Sequence, residues 1–232
     1  DYDLMTTIPG LFTIGECNFS AHGANRLGAS ALMQGLADGY FIIATSIAHY
    51  LSSNKIEKIS EHNAPFIDSK RWVEDRISRM LKNSVGGSAG KFTVDEIHKE
   101  LGKLMWDNCG MARNKAGLET ALKELPKIRE KFWDFVYLPG TNKEINQSLE
   151  RAGRVADFLE FGEIMIRDAL AREESCGCHL REESQTEENE AKRDDANFSH
   201  VSVWEHAGEE VPIMHKEPLV FEFVTPSQRS YK

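Results

Sequence analysis

A short apolar run, Leu11-Phe12-Thr13-Ile14, lies between Pro9-Gly10 and Gly15 and constrains the chain more than any other stretch. Its length and punctuation predict a buried β-strand ending at Gly15. A strand must pair its backbone groups and bury both faces, so it needs neighbouring strands. The remaining sequence offers no alternating βαβ pattern to supply them. Hydrogen-bond accounting alone therefore gives the expectation that the sequence opens in the middle of an α/β domain, with Asp1 to Thr7 a polar lead into the strand.

The residues just beyond this strand concentrate polar chemistry. Glu16 sits past its carboxyl end, where open α/β sheets hold their ligands. His22 to Gly28, HGANRLG, then carries Arg26 towards the start of an apolar helix predicted from Gly28 to about Ser52, with Leu32, Met33, Leu36, Tyr40 and Ile43 spaced at three and four. A helix start presents unpaired N–H groups and a partial positive charge. Together with a forked guanidinium, it suits an anion or a dicarboxylate. Each feature taken singly is common and most such features are structural, and small residues at Gly28, Ala29, Ser30 and Ala31 serve close helix–strand packing equally well. Gln34, Asp38 and His49 interrupt the apolar segment 29–51, so it reads as a buried helix rather than a membrane span.

Further along, Asn54 to Asn63 reads as a polar connection, and Asp68 or Ser69 as the cap of a helix carrying Val73, Ile77, Met80 and Leu81. Asn83 to Gly90 is rich in Gly and Ser without the strand and Lys-Ser/Thr of a phosphate-binding loop. Thr93-Val94-Asp95-Glu96 is a capping box ahead of an amphipathic helix. A second helix is expected over 114–136, kinked or split at Pro126, and a third over about 142–174. Three such helices with short connections predict a bundle with Trp106, Phe132 and Trp133 in its core. Glu160, Glu163 and Asp168 lack the Glu-x-x-His pattern of a di-iron bundle and read as solvated faces. Beyond Glu173 the sequence is dense in mixed charge, predicting an irregular surface segment, then two short strands at Val201–Trp204 and Leu219–Phe223 that could pair. The fold class is mainly α: a strand-plus-helix piece of an α/β domain (1–53), a connecting helix and linker (54–92), a helical bundle (93–175) and a tail with short β-strands (176–232).

The bulk numbers exclude some partners. A net charge of −9 without a dense Lys/Arg block is unsuited to nucleic acid or anionic lipid. The four cysteines, Cys17, Cys109, Cys176 and Cys178, form no CxxC pair, and the histidines of the tail, His179, His200, His206 and His215, are irregularly spread, so no metal is assigned.

The strand-Gly-Glu turn followed by HGANRLG resembles the flavoprotein subunit of succinate dehydrogenase and fumarate reductase. So do NQSLERAGRVADFLEFGEIMIRDALAREE (146–174), SCGCHLRE (175–182) and Arg193-Asp194-Asp195, in the order of that subunit's carboxyl-terminal regions. The resemblance implies an FAD-dependent oxidoreductase of electron transport and the tricarboxylic acid cycle. It implies Arg26 as the arginine that binds the substrate carboxylate, Glu16 as the acid that binds FAD, and Ala31 and Leu32 as the helix-start positions whose backbone faces the flavin. Ala31 stands where mitochondrial-type enzymes carry serine; a backbone contact survives that change and a hydroxyl contact does not. The GxGxxG fingerprint, the flavin-linked histidine region and the proton-donating arginine are missing, so the catalytic proton donor is expected upstream. The partners implied are a dicarboxylate, an iron–sulfur subunit and, through it, a membrane anchor subunit, which would hold the protein on the cytoplasmic face of the cell membrane. FAD would belong to the full-length subunit, with this segment inactive by itself. An L-aspartate oxidase-like flavoenzyme and a non-catalytic helical interaction module stay open as alternatives.

Overall fold

A computed structural model describes residues 1–18, 30–83, 90–208 and 210–227. The chain divides into two compact units, Asp1–Ile67 and Asp68–Lys232.

In the first unit the expected strand at Leu11–Gly15 is reduced to one antiparallel bridge, Met5 to Phe12. The turn at Gly10 (φ +83°) folds the segment back on its own start, so Thr6 N–H donates to the Leu11 carbonyl at 2.9 Å and Thr13 N–H to the Leu4 carbonyl at 2.9 Å. A ladder needs a longer neighbour than residues 4–6 provide, and Leu11 and Ile14 stay exposed. Phe12 meets Tyr50 edge-on at 6.0 Å, and the Tyr50 hydroxyl lies 3.0 Å from where a Cβ on Gly10 would sit.

The long helix of this unit is three segments in succession: α1 (Ser30–Ala37), a π-helical segment (Asp38–Ile42) and α2 (Ile43–Ser53). The Ile43 N–H reaches the Asp38 carbonyl, five residues back, which is the signature of the wider winding. The spacing predicts a buried apolar stripe; in the structure the buried positions are Ala31, Asp38 and Ser46. Leu32, Met33, Tyr40 and Phe41 are exposed by 69, 66, 77 and 81%. The periodicity is sound, but among the described residues of this unit nothing covers that face.

Helix α3 (Ala64–Leu81) starts before the expected cap at Asp68 or Ser69, because Asn63 begins it: its carbonyl accepts the N–H groups of Phe66 and Ile67. In the second unit, α4 (Val94–Cys109), α5 (Lys115–Phe135) and α6 (Gln147–Ala171) form the bundle. The capping box is present in full at the start of α4, Thr93 Oγ1 accepting from Glu96 N–H and Glu96 Oε2 from Thr93 N–H at 2.7 Å. Asn114 and Asn146 cap α5 and α6 through their side-chain oxygens. Ile97 and Leu101, then Leu118, Leu125, Ile128 and Phe132, then Val155, Leu159 and Ile166 supply one face of each helix to a shared core, joined by Met80 of α3. Each side chain that size contributes about 1.5–3 kcal/mol on burial. That sum outweighs the cost of Pro126, which removes one hydrogen bond from the exposed side of α5; the helix runs on through it rather than splitting. Phe132 is fully buried, with Trp133 packed edge-on at 4.9 Å. Trp106, by contrast, is 76% exposed, on the side of α4 away from Ile97 and Leu101.

Two parallel strand pairs tie distant segments to the bundle: β1 (Phe92–Thr93) with β3 (Val136–Tyr137), and β2 (Ala112–Arg113) with β4 (Leu180–Arg181). After the short α7 (Asp195–Phe198), β5 (His200–Glu205) and β6 (Ile213–Pro218) make an antiparallel hairpin, with Trp204 opposite Met214. The second strand therefore precedes the expected Leu219–Phe223. The ladder pairs residue 213 with residue 205, so the register is set before the more apolar run is reached.

Candidate functional site

Glu16 lies in a single 3₁₀ turn, Gly15–Cys17, entered from extended Ile14. Gly15 has φ +69°, a conformation that favours glycine. The Asn18 N–H closes the turn on the Gly15 carbonyl at 3.0 Å. The Glu16 side chain is exposed. Ala31, in the first turn of α1, is buried, while its neighbour Leu32 faces outward. Arg26, with the rest of HGANRLG, lies outside the described residues.

The structure adds two residues that the sequence presents only as interruptions. Asp38, 5% exposed, accepts the Gly15 N–H on Oδ2 at 3.0 Å. Gln34, one helical turn earlier, donates from Nε2 to the Asn18 carbonyl at 2.7 Å. Two polar residues at i and i+4 in an otherwise apolar helix were the available signal. The turn that carries Glu16 is thus held to α1 by Gln34 and to the π-helical segment by Asp38.

A second polar centre lies in the other unit, in the tail, where the sequence predicts irregular surface. Glu174, Ser175 and Arg181 are buried there. Arg181 Nη1 donates to the carbonyls of Ala169, Leu170 and Arg172, closing the open end of α6. Arg172 pairs with Glu174 at 2.8 Å and donates to the carbonyls of Phe198 and His200. His179 Nδ1 stands 3.0 Å from Arg113 Nη1, and its Nε2 stands 2.9 Å from the Arg172 carbonyl. Burial, then the cations Arg113, Arg181 and Arg172, hold the imidazole pKa below its usual value against the opposing Arg172 hydrogen bond. These polar groups are engaged by one another and by backbone, so the centre reads as a structural latch.

Glu163 is not a solvated face. Arg129 reaches it at 2.5 Å and Arg167 at 2.6 Å. Burial pushes its carboxyl up, but the two guanidinium groups outweigh that and hold it below the ordinary carboxylate range. Asp168 accepts from Trp204 Nε1 at 3.0 Å. Among the described residues no group of three or more His, Cys, Asp or Glu is placed to hold a metal. The groove between the starts of α4 and α6 carries Arg151 and Arg154, each already paired, with Asp95 and Glu150.

Residues 98–231 match the family model described as fumarate reductase flavoprotein C-term. The chain belongs to that family. It corresponds to the C-terminal part of the succinate dehydrogenase and fumarate reductase flavoprotein subunits. It is 31% identical to the 8-methylmenaquinol:fumarate reductase flavoprotein subunit of Wolinella succinogenes, over 95% of this chain and 34% of that protein. With the succinate dehydrogenase flavoprotein subunit of Bacillus subtilis the identity is 26%, over 100% of this chain and 37% of the relative. The chain thus spans about a third of the length of the curated relatives it matches. An E. coli quinol fumarate reductase structure superposes with a TM-score of 0.76 at 23% identity, over 97% of this chain and 36% of that one, which shows a shared fold.

Proposed function

We propose that this chain is the carboxyl-terminal part of an FAD-dependent subunit that interconverts succinate and fumarate, passing electrons through an iron–sulfur subunit to or from quinone. The observation that carries the reading is the family match over residues 98–231 in a chain about one third the length of its relatives, and the apolar face of residues 30–53, exposed among the described residues, agrees with it. By length and composition this helix could also cross a membrane. Buried Asp38, gripping the backbone at Gly15, argues instead for a helix packed in protein, whose outer face the remainder of the subunit would cover.

The described residues fit one edge of an FAD site. Glu16 is exposed in a turn held to α1, and its carboxylate is of the type that accepts from hydroxyl donors. Ala31 is small and buried in the first turn of α1, where a larger side chain would block close approach. Bound FAD would supply the acceptor or donor for the hydride. Arg26 would hold a substrate carboxylate through its forked N–H groups, Glu16 would hold FAD, and the backbone at Ala31 and Leu32 would face the flavin. No GxGxxG is present for the pyrophosphate, so the 232-residue chain is expected to bind FAD weakly or not at all and to show no turnover. The helical bundle would help to dock the iron–sulfur subunit, and through it a membrane anchor subunit on the cytoplasmic side of the membrane.

The test is Arg26→Ala in the full-length subunit, measured as succinate-dependent dye reduction. Removing one partner of a desolvated charge pair costs about 2–5 kcal/mol, so kcat/KM should fall by roughly 30-fold or more. Lys in its place should not restore bidentate binding. An unchanged kcat/KM refutes the substrate role. Dye reduction by the 232-residue chain itself refutes the assignment of an incomplete site.

A further inference from the structure

We infer that Gln34 and Asp38 are positioning residues that hold the Gly15–Asn18 turn and thereby aim Glu16. The inference rests on the reading of Glu16 as a cofactor-binding acid. The two residues lie one helical turn apart on one face and grip opposite ends of the same turn. Asp38 Oδ2 takes the first N–H, from Gly15 at 3.0 Å, and Gln34 Nε2 gives to the last carbonyl, of Asn18, at 2.7 Å. Glu16 is in the span between the two fixed points.

Three observations separate positioning from ordinary packing. The turn contains no buried residue, so fixing it adds nothing to a core. Yet the carboxylate that fixes it is itself buried, a placement costly unless the group is hydrogen-bonded. The Gln34 carbonyl oxygen is also buried, with no donor among the described residues. A buried unsatisfied acceptor opposes folding, so the amide is better accounted for by its grip on Asn18 than by any gain in stability. The backbone geometry agrees. The π-helical winding starts at Asp38, and such wide turns recur at functional sites. The close approach of Gly15 to Gly35, whose Cβ position lies 3.8 Å from the Gly15 Cα, brings turn and helix within reach of both side chains.

The first measurement is amide hydrogen exchange of Gly15 in the 232-residue chain. Asp38→Ala should speed it about tenfold or more, the loss expected for a hydrogen bond to a charged acceptor, with the far-UV circular dichroism unchanged. Asp38→Asn keeps an acceptor oxygen and should restore most of the protection. Unchanged exchange in Asp38→Ala overturns the clamp. Should that variant lose helix content, Gln34→Met carries the test: it removes the donor to Asn18 together with the unpaired amide oxygen and leaves Asp38 in place, and the Asn18–Gly15 closure should then open, or the clamp is overturned. The second measurement is FAD affinity of the full-length subunit. Asp38→Ala and Glu16→Ala should each weaken it, and the double variant should be no weaker than Glu16→Ala alone. Multiplying effects would show that Asp38 does not act through Glu16 and would overturn the inference. If Glu16→Ala leaves affinity unchanged, the cofactor role of Glu16 falls, while the exchange result still decides whether the clamp exists.

Discussion

His179 should make the tail latch sensitive to acid, and the geometry gives the sign. Arg113 can only donate, so the imidazole Nδ1 must accept, and the proton sits on Nε2, donated to the Arg172 carbonyl. Protonating Nδ1 would turn that acceptor into a donor aimed at a guanidinium. Burial and three nearby cations, Arg113, Arg181 and Arg172, already depress the folded-state pKa. The unfolded chain therefore binds this proton more readily than the folded one. The latch's contribution is complete above the ordinary histidine pKa of about 6.5 and is lost as pH falls through the folded value. For the size of the interaction, His179→Ala removes two hydrogen bonds. One engages a charged donor, worth about 1.5–3 kcal/mol, and the other is near 1 kcal/mol. Allowing for the imidazole's partial exposure, a loss of about 2–3 kcal/mol is expected. His179→Gln keeps an acceptor and a donor but cannot titrate. The assay is hydrogen exchange of the Glu182 amide, which donates to the Arg113 carbonyl at 2.8 Å across the β2–β4 pair. Between pH 7 and 5, Glu182 protection in the unaltered chain should fall further than in His179→Gln, after correction for intrinsic exchange. Equal pH slopes in the two chains would refute the tautomer and the latch argument together.

The bundle yields two more expected outcomes. Glu163→Gln should destabilise it by about 1.5–3 kcal/mol in urea unfolding, since Arg129 and Arg167 lose a shared carboxylate in a largely buried place. Because the Glu163 carboxyl titrates below its ordinary range, its stabilisation is present above about pH 4.3 and lost below it; the variant should lack that acid-limb component. Gly102 and Gly153 lie within helices with nothing within 4 Å of a Cβ, so Ala at each should raise stability by about 0.5–1 kcal/mol, read as an increased urea midpoint at constant slope.

What is legible in the sequence is local. Thr93 with Glu96, and Asn114 ahead of its helix, mark helix starts because capping is decided within four residues. The faces of α4, α5 and α6 come from spacing, because their partners are in the same chain. The failures share a cause: each depends on something the local pattern does not contain. The stripe on residues 30–53 is legible, but whether it is covered depends on residues elsewhere. Asp38 and Arg181 look like surface charges, since what buries them is a backbone amide 23 residues away and the end of a preceding helix. Trp106 belongs to the core by residue type but not by helical phase, and phase wins. At the site itself, Glu16 is legible by position, whereas the pair gripping its turn is not. The four corresponding assignments, Glu16, Arg26, Ala31 and Leu32, still rest on resemblance.

The latch also has a consequence in time. The carbonyls ending α6 are closed by Arg181, ten residues after the helix's last residue, Ala171. At about 5–20 residues per second, translation leaves that helix end open for roughly half a second to two seconds. Until then β2 also lacks its partner, since Ala112 pairs with Leu180. A chain cut between residues 171 and 180 therefore carries both an open helix end and an unpaired β2. The tail is thus the last piece of chain needed to close both the end of α6 and the edge of β2.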